Sequence, residues 1–444
     1  GIQMVYRSRP IVKAEAAEAL MVRTLGSGAN GIGYYMYHGG STPKQNNGVG
    51  FFSDDGMGMP KISYDYQAPI GEFGLVRDSY QNLRILHTFL KDFGSILAPM
   101  ETVLPEGYEK ITPDNRETLR YAARMKEDAG FIFMTNFQDH DTARFDQTDL
   151  QLKLKLKKQT LIIPSSKTFT LKKDQSVILP FNLSMEGALL KYSTTQLLAK
   201  VEEKNAVHYF FFAPEGLRTE YSFDKSTLSS GKEFYTPKPG LKSTFSITVK
   251  NGKTLKITTL TRQQALNTTK VNNHILITEA TVLPEKEQCT LLSLGKTQIS
   301  YALYTANKGW KEETIEVQPV DVKADWKKVG TRRMTVKIDQ PDVPQVNDYF
   351  LRVNYVADVA MAFIGGYLVL DHYYYGIPWT IGLRRFKNEL KNEYLSFYFR
   401  PLRKDAPFIG DLPVEAIPDF SQKDADCLVR SVDVIPEYKA IVNI

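Results

Sequence analysis

The spacing of apolar and polar positions changes near residue 130, and the change divides the chain. Before it the spacing is helical. Over 11–29, Ala16, Ala17, Leu20, Met21 and Leu25 predict a helix that Gly26-Ser27-Gly28 stops. Over 78–97, Leu83, Leu86, Leu90, Phe93 and Leu97 line one helical face, and Asp78 with Gln81 resembles a capping box. Between them, residues 31–38 form a near-continuous apolar and aromatic run, which predicts a strand buried on both faces, as in a parallel sheet. A long loop rich in Gly, Asn and Asp follows over 39–67. Helix, strand, loop and helix make about one and a half units of an α/β fold.

After residue 130 the period is two. Leu150, Leu152, Leu154 and Leu156 alternate with Gln151, Lys153, Lys155 and Lys157, which predicts a half-buried antiparallel strand. Asn251-Gly252 and Gly365-Gly366 each sit between strand-like runs and predict hairpins. Another strand is expected over 394–399. Many short strands with turn residues between them predict β-sandwiches. The fold class expected is therefore mixed α/β and mainly β. Its divisions are 1–115 (α/β), 116–285 (β-sandwich) and 286–444 (a second β domain). There is no internal repeat and no low-complexity tract.

Composition changes this picture little. Hydrophobic residues make up 42% and charged residues 24%, the values of an ordinary globular protein. A net charge of +6 on 444 residues makes no case for nucleic acid. Cys289 and Cys427 are too few for a disulfide framework or a cysteine zinc site, and whether they pair is left open. The apolar run over 359–370 is bounded by Asp358 and Asp371 and is too short for a membrane span. No signal peptide is recognised, and no cofactor or metal is expected.

Two segments carry the candidate chemistry. One is Gly33-Tyr34-Tyr35-Met36-Tyr37-His38-Gly39-Gly40. The other is Ser63-Tyr64-Asp65-Tyr66-Gln67-Ala68-Pro69-Ile70-Gly71-Glu72-Phe73-Gly74. Phenol rings with hydroxyl handles suit the apolar faces and hydroxyl edges of sugars. In order and wording the two segments resemble the end of the catalytic barrel in family 35 glycoside hydrolases, the retaining β-galactosidases. Gly28-Ala29-Asn30-Gly31, Leu97-Ala98-Pro99-Met100 and Leu179-Pro180-Phe181-Asn182-Leu183 extend the resemblance, as does the run from Tyr209 to Glu215. The later β pattern is similar to the galactose-binding-like jelly roll that accompanies many glycosidases. The resemblance implies that 1–115 is the remnant of a (β/α)8 barrel.

It also implies an exo-acting enzyme that removes terminal β-galactose from glycans using two glutamates. Met4-Val5-Tyr6-Arg7-Ser8-Arg9-Pro10 resembles the segment just after the nucleophile. Both glutamates are therefore expected upstream of Gly1, on a missing N-terminal barrel segment, and the chain alone is expected to be inactive. By the resemblance, Tyr35 and Tyr66 are substrate-binding, and the family's work on external glycans implies a secreted or periplasmic setting. The usual Gly-Gly-Thr-Asn after the strand is replaced by Gly39-Gly40-Ser41-Thr42-Pro43.

The other candidates each have a plainer reading. His38 is a third substrate-binding candidate, weighed against a histidine satisfied by backbone. Asp54, Asp55, Asp65 and Glu72 are the carboxylates near the tyrosines, and their loop setting predicts solvated or capping roles. Asp139-His140-Asp141 has ligand-type residues but no third spaced ligand, so a solvated loop is expected. Lys153, Lys155 and Lys157 read as a solvated sheet face. Tyr373, Tyr374, Tyr375 and Trp379 are a sugar platform or, on the favoured reading, packing between domains. The alternative for the whole chain is a non-catalytic carbohydrate-binding or interaction module.

Overall fold

A computed structural model describes residues 4–44, 60–139, 141–157 and 159–444. Asp54, Asp55 and His140 lie outside the described residues.

Two long helices pack side by side on a β-sandwich. Helix α1 spans Ala14–Gly26 and buries Ala19, Met21, Val22 and Leu25. Leu20, expected on that stripe, is 61% exposed, because the buried face is rotated toward Val22. Helix α2 spans Asp78–Leu97, and its buried face carries Leu83, Leu86, Phe89, Phe93 and Leu97. Its N-cap is Arg77 with no side-chain cap, so the expected capping box is absent. Asp78 already lies inside the first turn, where its charge still favours the helix dipole. Both helices contribute to one apolar core with Phe131, Phe133, Leu190 and Phe211 of the sheets.

The sandwich beneath them joins a seven-stranded and a five-stranded sheet. Its central strand, Ser176–Met185, is buried on nearly every residue. One side meets the helix-covered core. The other meets a second core built from Leu152, Leu161, Ile163 and Leu171. The Leu/Lys alternation forms two strands, Gln147–Leu150 and Leu152–Lys155, with the leucines turned inward. The second pairs antiparallel with Thr160–Ile163. Thr244–Val249 and Thr254–Thr261 form the hairpin expected around Asn251-Gly252. Gly252 has φ +85°, which a side chain rarely adopts.

A four-stranded sheet runs from Thr268–Val271 to Gly309–Glu316. Two five-stranded antiparallel sheets then form a C-terminal sandwich, cored by Val353, Tyr355, Trp379, Phe397 and Phe399. The long last strand, Leu428–Asn443, lies between Gln288–Leu294 and Val346–Val356 within one of these five-stranded sheets. The Gly365-Gly366 hairpin forms between Val359–Ile364 and Tyr367–Tyr373. Leu395–Arg400 supplies the later strand. Among the described residues, no helix is long and apolar enough to cross a membrane. Cys289 and Cys427 are both free thiols.

The strand expected over 31–38 does not form. His38 makes one isolated parallel bridge with Ile70, framed by hydrogen bonds from Ile70 N to Tyr37 O and from Gly39 N to Ile70 O. The run has no flanking strands among the described residues, and its rings are only partly covered, by one another and by α2. Tyr34 and Tyr37 stand 5.3 Å apart and pack on His87 of α2, with Tyr80 6.1 Å from Tyr37. The Tyr34 hydroxyl meets His87 Nε2 at 2.8 Å. Apolar composition alone does not distinguish a buried strand from an irregular segment whose rings are only partly covered.

Candidate active-site wall

The two tyrosine segments come together through a short antiparallel pair, Gly40–Ser41 with Ser63–Tyr64. That pairing sets Tyr35 beside Tyr64, with their hydroxyls hydrogen-bonded. The Tyr64 ring lies 4.2 Å from that of Tyr66, and the hydroxyls of Tyr64 and Tyr66 also interact. Tyr35, Tyr64 and Tyr66 thus form a continuous row of phenols. Tyr35 is 73% exposed and Tyr66 partly buried, so the row runs from open surface inward. The hydrogen bond to Tyr64 raises the pKa of Tyr35, and burial raises that of Tyr66. Tyr35 and Tyr66 therefore present neutral hydroxyls near neutral pH. His38 engages the carbonyl of Gly39 through Nδ1.

Residues 65–77 are folded by their own side chains. Asp65 Oδ1 accepts from Arg77 at 2.6 Å and from the N–H of Gln67 at 3.1 Å, and Oδ2 accepts from the N–H of Glu72 at 2.7 Å. Arg77 also donates to Ala68 O at 2.7 Å. These bonds hold Tyr66 and Gln67 at φ +50° and +53°, a left-handed turn that needs such support in residues with side chains. Gln67 reaches back to the N-terminal segment, donating to Pro10 O at 2.7 Å and accepting from Val12 N at 3.1 Å. A Cβ on Gly39 would stand 2.9 Å from Asp65 Cα and 3.1 Å from Glu72 N, so the two segments meet only where a glycine permits it.

The C-terminal sandwich holds the same loops from outside. Asp371, 1% exposed, accepts backbone N–H bonds from Lys61, Ile62 and Ser63, just ahead of Tyr64 and Tyr66. Arg385 donates to Ser41 Oγ at 2.6 Å and to Glu72 O at 3.3 Å, and its guanidinium lies over the Phe73 ring at 4.6 Å. Arg9 is fully buried. It bonds Asp358 Oδ1 at 2.5 Å, Asp358 O at 2.7 Å and Tyr374 O at 3.0 Å, between the rings of Phe408 and Tyr373.

Glu72 differs from its expected solvated role, being only 7% exposed. Burial pushes its carboxyl up to about 7; the Ser41 and Ser63 hydroxyls and Arg385, 3.7 Å away, oppose that shift, and Asp65 adds to it. It sits at the edge of a cavity of about 290 Å³ between these loops and the edge of the C-terminal sandwich. Tyr373, Tyr374, Tyr375 and Trp379 are all buried, so they form no exposed platform. Asp141 is held by Arg116 at 2.8 Å. No group of three His, Cys, Asp or Glu among the described residues is placed to hold a metal.

Tyr64 was within reach of the sequence, because it shares the spacing of Tyr66 across Asp65. Arg9, Asp371 and Arg385 were not, because each acts on residues more than three hundred positions away.

This wall lies within the part of the chain that matches known families. The model for glycosyl hydrolases family 35 matches residues 4–90, and that for β-galactosidase domain 2 matches 106–281. Beta-galactosidase 6 of Oryza sativa subsp. japonica is 27% identical over 144 residues, a stretch covering 32% of this chain and 15% of that protein. A crystal structure of a GH31 alpha-xylosidase from Xanthomonas citri aligns over 77% of this chain and 37% of its own, with a TM-score of 0.12 and 10% identity. That likeness carries no argument. With both family models covering consecutive parts of it, the chain is a β-galactosidase-like protein of glycosyl hydrolase family 35.

Proposed function

We propose that this chain is the C-terminal part of a retaining β-galactosidase acting on terminal β-galactose of glycans, in a secreted or periplasmic setting. Residues 1–115 are the end of its barrel, 116–285 a β-sandwich domain, and 286–444 a galactose-binding-like jelly roll. Tyr35, Tyr66 and His38 line the sugar subsite, with Tyr64 completing the phenol row. The row is the single observation that carries the reading. Three hydroxyls on adjacent flat rings match a pyranose, whose apolar face stacks and whose hydroxyl edge exchanges hydrogen bonds.

Retaining hydrolysis needs a carboxylic acid to protonate the leaving oxygen and a carboxylate to attack the anomeric carbon, about 5–5.5 Å apart. The carboxylates described near the row already have structural partners. Asp65 closes its own loop, Glu72 is covered by Ser41 and Arg385, and Asp371 holds three backbone N–H groups. On this proposal, and by the family resemblance, the reacting pair lies on barrel sequence upstream of Gly1. In that arrangement the tyrosines position the sugar, and the C-terminal sandwich keeps the tyrosines in place.

A chromogenic β-galactoside assay tests this. The 444-residue chain alone is expected to give no turnover above buffer. The gene product that includes the preceding barrel sequence is expected to hydrolyse the substrate, with KM raised by Tyr66→Phe. Robust turnover by the 444-residue chain would contradict the assignment. An inactive longer gene product would favour a non-catalytic binding module.

A further inference from the structure

Two strand edges are open. The four-stranded sheet ends at Gly309–Glu316, and one five-stranded sheet of the C-terminal sandwich ends at Ala324–Gly330. Among the described residues, no strand pairs with the outer side of either. The backbone bonds fix which groups face outward. Val317 N donates to Thr297 O at 2.8 Å, one step beyond the pairing of Gln298 with Glu316. Bonding alternates along an antiparallel pair. Lys311, Glu313 and Ile315 therefore bond inward, and Trp310, Glu312, Thr314 and Glu316 turn their N–H and C=O groups outward. In the other sheet Phe399 N donates to Arg332 O at 2.9 Å. By the same alternation Thr335 and Lys337 bond to Lys327 and Asp325, which leaves the groups of Ala324, Trp326 and Lys328 facing outward.

The two edges carry opposite charge. Glu312 and Glu313 stand in the middle of the first, Lys327 and Lys328 in the middle of the second, and all four are exposed. Glu313 pairs with Lys311 at 2.6 Å, whereas Glu312, Lys327 and Lys328 make no salt bridge among the described residues. Charged residues on an edge strand ordinarily discourage pairing. Here they do so for like with like. The central registers of Gly309–Glu316 against a copy of itself set Glu312 on Glu312, Glu313 on Glu313 or Lys311 on Lys311. Against Ala324–Gly330 the outcome reverses. An antiparallel register with Lys328 opposite Glu312 also sets Trp326 opposite Thr314 and Ala324 opposite Glu316, so outward groups meet outward groups. The same register sets Lys327 opposite Glu313 and brings no like charges face to face.

We propose that Gly309–Glu316 is a docking edge for a second copy of this chain, which adds its Ala324–Gly330 strand antiparallel in that register. Backbone bonds at Ala324, Trp326 and Lys328 supply the attachment, and the two Lys–Glu pairs select the partner and the register. The surfaces joined are different. The contact therefore closes only where two copies exchange both strands, and otherwise extends head to tail. It does not depend on the glycosidase reading of the tyrosine row.

Sedimentation velocity of the 444-residue chain over a concentration series tests it. The weight-average mass should rise with concentration above the 50.4 kDa of one chain, and rise less at high ionic strength, which screens exposed pairs. Glu312→Lys and Lys328→Glu each set like charges opposite one another and should weaken association about tenfold. An equimolar mixture of the two variants should recover it, because the altered edge of each meets its opposite on the other. Thr314→Pro removes an outward N–H that the folded sheet does not use, and should abolish association with an unchanged circular dichroism spectrum. The two charge variants decide the matter even where Thr314→Pro does not fold. A chain that stays at 50.4 kDa at every concentration would overturn the proposal, as would association that the charge variants leave unchanged. Association lost in Lys328→Glu but kept in Glu312→Lys would overturn it in favour of Ala324–Gly330 pairing with its own copy. A mixture that does not recover would overturn the pairing of these two edges.

Discussion

In the strand Ser176–Met185 the backbone bonds to strands on both sides, Ala129–Thr135 and Ala188–Ser193. Residues 61–72 are held differently. Their N–H groups go largely to side chains, to Asp371 at 61–63 and to Asp65 at 67 and 72. The sandwich secures its backbone through its neighbours in the sheet. The tyrosine loops depend on a few charged groups, several of them far away in sequence. Sheet order is spread over many weak bonds, whereas loop order is concentrated in a few side chains. Single substitutions should therefore act strongly and locally on the loops and weakly on the sandwich.

The largest effect is expected at Arg9. Its pairing with Asp358 is buried, and Arg9→Met leaves that carboxylate, among the described residues, with Arg400 alone, at 2.7 Å. Breaking such a pair costs about 3–5 kcal/mol. Trp326 and Trp379 lie in the C-terminal sandwich, so tryptophan fluorescence during urea denaturation should report the lowered midpoint. An unchanged midpoint would show that the N-terminal segment is not anchored there.

Glu72 gives the next effect, through pH. Its folded pKa of about 7 lies above its ordinary 4.5, so the fold favours the neutral acid. That contribution is complete below 4.5 and is lost as pH rises through about 7. In that window the folded protein binds more protons than the unfolded chain, and stability falls. Glu72→Gln is neutral throughout and should remove a decline on the order of 3 kcal/mol between pH 4.5 and 8. Parallel pH–stability curves for the two proteins would contradict the burial assigned to this carboxyl.

The smallest effect is expected in the sandwich. Gly252→Ala places a side chain at φ +85° in an open hairpin turn with no clash. It should cost about 1 kcal/mol in thermal unfolding and leave the loops unchanged. A loss as large as that of Arg9→Met would erase the distinction between the two regions.

The same distinction decides what could be read from sequence. Helix α2 was legible to the residue because its apolar spacing is local. The hairpins at Asn251-Gly252 and Gly365-Gly366 were legible because turn chemistry is local. The run over 31–38 misled because its rings pack on Tyr80 and His87 rather than between strands. The solvated role expected for Glu72 failed because its cover comes from Ser41 and Arg385, 31 and 313 positions away. Tyr35 and Tyr66 were identified through a resemblance. Their joining through Tyr64 became visible only when Gly40–Ser41 paired with Ser63–Tyr64.

The central claim is that the C-terminal sandwich holds the tyrosine wall, and amide hydrogen exchange on Asp371→Ala tests it most directly. The three N–H groups of residues 61–63 should lose their protection and exchange faster by orders of magnitude, while the amides of Ser176–Met185 keep theirs. Unchanged protection at 61–63 would contradict the account.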